Sequence, residues 1–433
     1  MPLEVLDLRS SEGPIDLADR HGGWDRPELA RAARAVRDIV GDVRERGDEA
    51  LTELTQRFDG ALLSPDRFRV TVAERDEAAA TVDERVRGAL AHAADNIRAY
   101  HEAQRPKDWT LDREGAVVGQ VFRPIGRVGL YAPGWRAPLP STVLMLAVPA
   151  KVAGVPELAL CTPPTADADC EPTIMAAAQV VGIEEIYRIG GAQAIAAMAY
   201  GTDTVPACDK VCGPGSVYTT LAKREVFGHV GIDGLFGPSE SVVVADERAK
   251  PSFAAAELLV QAEHGPDASA VVVTTSEELL GSCLRELEAR MARLPRAKDI
   301  RDALASHGLA ILVRDLDQAT EVVNTLAPEH LCLQVADPDA FLSSVTAAGA
   351  VLMGDDSPAT LSDYCAGPSH VLPTARTAKY QSGIGVRDFL VAINTIRYDR
   401  KALFREASVA DILAEAEGLQ AHREGLHVRL EGP

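Results

Sequence analysis

The sequence has no CxxC pair, no apolar run near the roughly eighteen residues of a membrane span, and no GxGxxG fingerprint. Each absence removes a class of protein. Seven cysteines, at 161, 170, 208, 212, 283, 332 and 365, are an odd number, and they signal neither a disulfide framework nor a thiolate zinc site. Most lie in apolar stretches and read as buried. Any metal must then be held by histidine, carboxylate and amide oxygen, which suits zinc or a neighbouring divalent ion. The opening MPLEVLDLRSSEG lacks a basic segment followed by an apolar core, so a cytoplasmic location is expected. A formal net charge of −20 repels a nucleic-acid backbone and an anionic membrane on average, and neither is expected as a partner.

What is present describes an ordinary globular protein: 433 residues, 46% hydrophobic and 25% charged, enough chain for two or three cores. Residues from about 25 to 108 are helical in pattern and rich in Ala, Arg and Glu. Asp25-Arg26-Pro27 suits a helix start and Gly47-Asp48 breaks the first run. Thr81-Val82-Asp83-Glu84 reads as a capping box for a long helix ending near Arg105-Pro106. Residues 116–123 and 127–131 alternate around Pro124-Ile125-Gly126, which predicts two strands joined by a turn.

From there strands and helices alternate as far as 353, the βα rhythm of parallel sheets. The tail from about Gly383 reads as helical, ending in an Ala/Glu-rich run over 409–420. The expected fold class is α/β: two Rossmann-like parallel-sheet domains in tandem, incomplete in lacking GxGxxG, with a helical N-terminal region and a small helical C-terminal tail domain. The expected division is an N-terminal segment 1–23, a discontinuous first α/β domain of 24–129 plus 238–382, a second α/β domain of 130–237, and a tail of 383–433. Two α/β units in tandem hint at duplication, although no sequence repeat relates them.

Residues able to carry chemistry recur at the ends of these elements. The stretch 251–264 reads as a helix stopped by Gly265-Pro266, which puts Gln261 and His264 three apart on one face. Alone, such a pair is more often a polar helix end with a histidine favoured by the macrodipole. Gly-rich turns at Tyr131-Ala132-Pro133-Gly134, Gly190-Gly191 and Gly213-Pro214-Gly215-Ser216 stand between strands and helices. Their amides suit a phosphate, and they equally suit βα turns that need glycine. Ala327-Pro328-Glu329-His330 sets an acid beside an imidazole, and a polar loop from Asp363 to Thr374 carries both Asp363 and His370. Gly237-Pro238-Ser239-Glu240 precedes a strand, and Glu417 and His422 lie near the end. Singly each is more often structural; their joint presence carries the weight.

Eight landmarks in order, YAPG (131–134), GGAQAIAA (190–197), GPG (213–215), GPSE (237–240), QAEHGPD (261–267), APEHL (327–331), DYCAGPSHVLPT (363–374) and EGLQAH (417–422), resemble the histidinol dehydrogenase family. These are the zinc- and NAD-dependent enzymes that end histidine biosynthesis, and the resemblance spans nearly the whole chain. It implies one zinc held by the Gln261 amide oxygen, His264, Asp363 and His422, the last reaching across from the other subunit of a homodimer with shared active sites. It implies two successive NAD-linked oxidations, L-histidinol to L-histidinal to L-histidine, with His330 as base in both and Glu329 activating water for the second. Imidazole suits the first task because its pKa lies near working pH. Ser239, Gln261, His264, His330, Asp363, His370, Glu417 and His422 correspond to substrate-binding positions, and Tyr131, Gln193 and Ser216 to NAD contacts. The zinc and catalytic residues thus fall in the first domain and the NAD side in the second, with the tail contributing to the partner subunit's site. His427 fits the pattern less well than His422 and reads as a surface residue.

Four positions depart from the family pattern. Trp135 and Ser216 stand where Gly and Asn are expected on the cofactor side; a bulky indole closes space there and a shorter Ser loses an amide contact. Ser362 and Ser369 replace Gly and Asn beside the zinc loop. These departures keep two further readings open. One is a family member that oxidises another small polar alcohol, such as an amino alcohol or a sulfonated diol. The other is a zinc hydrolase using Glu329 with metal-bound water, or a binding protein without turnover.

Overall fold

The computed structural model describes residues 3–11, 17, 27–134 and 138–431; Asp25, Arg26 and Trp135 lie outside the described residues. Strand β1 (Glu4–Asp7) precedes helices α1 (Pro27–Arg46) and α2 (Asp48–Asp59). Gly47 separates them at φ +54°, a left-handed conformation that glycine adopts at no steric cost. After β2 (Arg69–Val70) come α3 (Val72–Ala80) and α4 (Glu84–Ala103). The capping box expected at residues 81–84 lies one helix earlier, where Thr71 and Glu74 cap α3 reciprocally. Thr81 instead ends α3, and Asp83 caps α4 by accepting from the Arg85 amide.

Strands β3 (Trp109–Arg113) and β4 (Ala116–Pro124) pair antiparallel. The next strand, β5 (Arg127–Tyr131), was expected to join β4 through a turn but lies in a different sheet. Val128, Gly129, Leu130 and Tyr131 are all buried, and a strand buried on both faces belongs inside a helix-covered parallel sheet. One α/β unit continues with α5 (Pro140–Ala153), β6 (Glu157–Thr162), α6 (Pro172–Val180), β7 (Glu185–Arg188), α7 (Gly191–Tyr200), β8 (Lys210–Cys212), α8 (Val217–Val226) and β9 (Gly231–Ile232).

The other unit comprises β10 (Glu240–Ala245), α9 (Pro251–Ala262), β11 (Ser269–Thr274), α10 (Glu277–Met291), α11 (Ala297–His307), β12 (Gly308–Leu312), α12 (Leu316–Leu326), β13 (His330–Gln334), α13 (Pro338–Leu342), β14 (Ala350–Met353) and α14 (Ala359–Tyr364). Helix α11 was not anticipated from the sequence. The chain closes with β15 (Leu390–Tyr398), α15 (Arg400–Ala416) and α16 (Gln420–Glu431). The tail is therefore not wholly helical: β15 pairs antiparallel with β4 in a three-stranded sheet.

The two large sheets have orders β2-β7-β6-β5-β8-β9 and β1-β12-β11-β10-β13-β14. In each, the first strand of the unit lies inside, its next two successors extend to one side and the following two to the other. Pairing is parallel except where β2 meets β7. The same architecture thus occurs twice without a sequence repeat, and the expected α/β class with two parallel sheets is what is found.

Helices α1–α4, expected from the sequence to accompany 238–382, pack on the β5–β9 unit. Val36, Val40 and Val43 share a core with Ile195, Ala199 and Leu221, while Leu90, Ala94 and Ile97 share one with Leu144 and Val148. The cause lies in α5 and α7, which are buried almost all round and need a second helical layer over them. Among the described residues no helix is long and apolar enough to cross a membrane.

Candidate active site

Two clusters of candidate residues form, one on each large sheet. In the β10–β14 sheet they gather at the amino ends of the strands. His330 opens β13 beside Ser241 of β10, with Glu329 before it and Ser239 and Glu240 at the start of β10. Helix α9 runs back from the far edge and delivers Gln261 and His264 to the same end. It stops at Ala262, so His264 sits in the turn rather than in the helix expected over 251–264. Asp363 arrives on α14.

His330 is 3% exposed, and neither ring nitrogen has a well-formed hydrogen bond among the described residues. Its Nε2 lies 3.7 Å from Asp363 Oδ1 and its Nδ1 3.9 Å from Glu329 Oε2. Burial drives its pKa down to about 4; Asp363 and a weaker contact with the Glu240 backbone oppose that shift, and His264 and His370 add to it. The ring is therefore neutral near pH 7 with a lone pair available. Glu329 is buried, and its Oε2 accepts from the Glu240 amide at 2.9 Å, with the Ser239 side chain as a second hydrogen-bond partner. Burial pushes its carboxyl well above the ordinary range, and the nearby Glu240 and Asp363 charges push the same way. Glu240 itself is raised to about 7 by burial. Its Oε1 accepts from the Ala375 amide at 3.0 Å, and its Oε2 has no partner.

Two neighbouring histidines have hydrogen bonds that fix which nitrogen donates. His264 Nδ1 faces the carbonyls of Val260 and Gln261 at 3.2 Å; a carbonyl only accepts, so Nδ1 carries the proton and Nε2 keeps a lone pair. His370 Nδ1 likewise donates to the Asp363 carbonyl at 2.7 Å, leaving Nε2 to accept from the Thr142 hydroxyl at 3.2 Å. His370 therefore steadies the backbone of Asp363. Ser369 is also occupied: its hydroxyl donates to Met145 O and accepts from the Val371 amide, both at 3.2 Å. Ser362 is buried.

Glu417 and His422 are not brought to this cluster within one chain; both are exposed, Glu417 at the end of α15 and His422 in α16. His427 pairs with Asp411 at 2.7 Å. Among the described residues no group of three or more His, Cys, Asp or Glu side chains could hold a metal ion. His264 and Asp363 both act electrostatically on His330, and the buried Gln261 amide has an Nε2 with no partner among the described residues. That chemistry fits a nitrogen-and-oxygen metal site lacking one arm.

The second cluster occupies the carboxyl ends of β5, β7 and β8, where strand order reverses between β5 and β8. Such a switch point opens a crevice for a ligand, and the N-termini of α7 and α8 point toward it. Tyr131 is buried, its hydroxyl accepts from the Gly191 amide at 3.0 Å, and burial raises its pKa to about 12. Gln193, 1% exposed, donates from Nε2 to Asp59 Oδ2 at 3.3 Å. Gly213 has φ +133°, and a Cβ there would lie 2.3 Å from the Tyr131 carbonyl oxygen. Ser216 is exposed at the start of α8, its Oγ 3.4 Å from Thr219 Oγ1. Backbone amides beside glycines crowded against neighbouring backbone make a surface that fits a dinucleotide.

Asp59 and Thr142 contribute to these clusters but were not singled out from the sequence. Glu240 stands in the GPSE stretch without an assigned role, although an acid opening the fully buried strand ESVVVA is a usable signal. Asp59 and Thr142 had none beyond lying at helix ends.

A family model for histidinol dehydrogenase matches residues 25–430. Histidinol dehydrogenase from Synechococcus sp. is 47% identical over 396 residues, 91% of this chain and 91% of that protein. The enzyme of that name from Heliobacterium mobile is 46% identical over 403 residues, 93% of this chain and 94% of its own. The crystal structure of histidinol dehydrogenase from Elizabethkingia anophelis is similar with a TM-score of 0.92 at 34% identity, covering 99% of this chain and 98% of that one.

Proposed function

The chain belongs to the histidinol dehydrogenase family, and on that premise we propose that it oxidises L-histidinol through L-histidinal to L-histidine with NAD, on zinc-bearing sites shared between two copies of the chain. The observation that carries this reading is His330, a buried neutral imidazole with no well-formed hydrogen bond among the described residues, flanked by Asp363 and Glu329. A buried polar ring left unpartnered is costly unless a ligand completes it. Gln261, His264 and Asp363, with His422 of the partner subunit, would hold the metal; Tyr131, Gln193 and Ser216 would face the dinucleotide. When bound, NAD would supply the hydride acceptor and zinc a Lewis-acidic centre that orients the substrate.

The chain's own residues supply the proton chemistry. His330 takes the hydroxyl proton; its lowered pKa keeps the lone pair free at neutral pH, and Asp363 stabilises the positive charge that develops. Glu329, whose raised carboxyl is a stronger base once ionised than an exposed one, removes a proton from the water that adds to the aldehyde. Ser239 and the Glu240 amide orient that carboxyl, and His370 holds Asp363 in place. Glu417 and His422 reach the partner's site from the tail. Exposed Ile396, Ile412 and Leu413 on β15 and α15, 58–74% accessible, support pairing of two chains through this region. The change at Ser369 gives no reason to prefer another alcohol, because its hydroxyl is already used by α5 and its own loop.

The test is stoichiometric: zinc-loaded protein given limiting L-histidinol and excess NAD should release two NADH per histidinol. One NADH per molecule, or turnover of a different alcohol with none of histidinol, would overturn the reading.

A further inference from the structure

Gly213 is gripped at both its amide and its carbonyl by one buried ion pair. Lys223 of α8 donates from Nζ to Gly213 O at 2.8 Å and to Asp233 Oδ1 at 2.7 Å. The other carboxylate oxygen, Asp233 Oδ2, accepts from the Gly213 amide at 2.6 Å. The two side chains are 1% and 0% exposed. Phe236 lies under the ammonium, its ring centroid 4.3 Å from Nζ, and the Asp233 carbonyl accepts from Gln381 Nε2 at 2.7 Å.

Stability alone is a poor reason for such a pair. Removing two charges from water costs several kcal/mol per ion, and well-packed apolar replacements are often neutral or better. Apolar packing is plentiful here, with Val211, Leu221 and Val226 all buried in the surrounding core. What an apolar pair cannot do is bind the amide and the carbonyl of one residue together. That residue has φ +133° and presses on Tyr131 so closely that no side chain fits, so its conformation needs an external restraint. The segment that begins at Asp233 runs on to Glu240, whose amide holds Glu329.

We propose that Lys223 and Asp233 are a positioning pair for the 213–216 loop, fixing it against Tyr131 in the form that receives the dinucleotide. The proposal rests on the cofactor side assigned above. Neither residue touches the cofactor; they act through Gly213.

The experiment uses the full-length protein and measures binding rather than turnover. Lys223→Met/Asp233→Leu removes both charges at similar volume. Its melting temperature should stay within a few degrees of the wild type, its NAD dissociation constant by calorimetry should rise at least tenfold, and its affinity for L-histidinol should change less than twofold. Hydrogen exchange at the Gly213 and Ser216 amides should accelerate. Should that variant fold poorly, Asp233→Asn keeps the shape while turning one acceptor into a donor that must face either the Gly213 amide or the Lys223 ammonium, and should weaken NAD at least threefold. NAD affinity within twofold of wild type in both variants overturns the proposal while leaving the dehydrogenase reading intact. A wild-type protein that binds no NAD sinks the cofactor assignment itself and this proposal with it.

Discussion

The two large sheets share a strand order but gather their candidate residues at opposite edges. In the β5–β9 sheet the candidates lie at the carboxyl ends, where helices α7 and α8 begin; in the β10–β14 sheet they lie at the amino ends, where α9 and α12 finish. Helix N-termini present unpaired amides and partial positive charge, whereas C-termini present carbonyls and partial negative charge. One architecture therefore offers an anion-receiving edge and a cation-receiving edge, according to which end of its βα units is used. The proposed reading puts the dinucleotide at the first and the metal at the second.

The sharpest way to break this division is His330→Asn, which leaves the amino edge without its proposed base. Both oxidations should fall by about 10²–10⁴-fold in single-turnover assays, while NAD binding at the other sheet stays unchanged. A parallel loss of NAD affinity would show that the edges are not separate. His422→Ala should abolish metal retention, measured by elemental analysis, with activity falling alongside it. Mixed dimers of His422→Ala and His264→Ala chains regain one intact site per heterodimer if the tail reaches across; no recovery on mixing would remove the shared site. Glu329→Gln should be milder on the first oxidation than on the aldehyde step, by roughly tenfold or more. Equal losses in both would deny that Glu329 serves the water.

How much of this could be read in advance depends on range. The Gly265-Pro266 stop, the Gln261/His264 spacing and the start of β13 at His330 are local, and the alternation of strand and helix is a pattern of neighbours. The partner of an element is not local. Amphipathic stripes announce that α1 and α4 bury a face but not against which sheet, and the pairing that puts Gln120 beside Asn394, 274 positions apart, makes a strand of a tail that reads as helical. Buried charges escaped for the same reason. Lys223, Asp233 and Asp59 look like solvated residues until the fold removes the water around them. His422 and Glu417 were legible only through resemblance, because within one chain nothing brings them to the site.

Asp59 provides the smallest test and the one that sharpens the anion-receiving edge. It stands beside Gln193 and the Gly190 amide, and burial raises its carboxyl to about 6 despite both hydrogen bonds. The folded pKa is above the ordinary value of 3.8, so the fold favours the protonated form: that contribution is complete below about pH 4 and is lost as pH rises through 6. At pH 8 the ionised carboxylate is a cost that Asn does not carry. Asp59→Asn should therefore raise stability by about 1–2 kcal/mol at pH 8, a few degrees in melting temperature, and by almost nothing at pH 4. Scanning calorimetry at the two pH values separates charge from packing, because a gain of equal size at both would mean that the substitution acts through shape. A gain confined to high pH would mean that this edge holds a carboxylate under electrostatic strain close to where the proposed reading places a dinucleotide's negative charge.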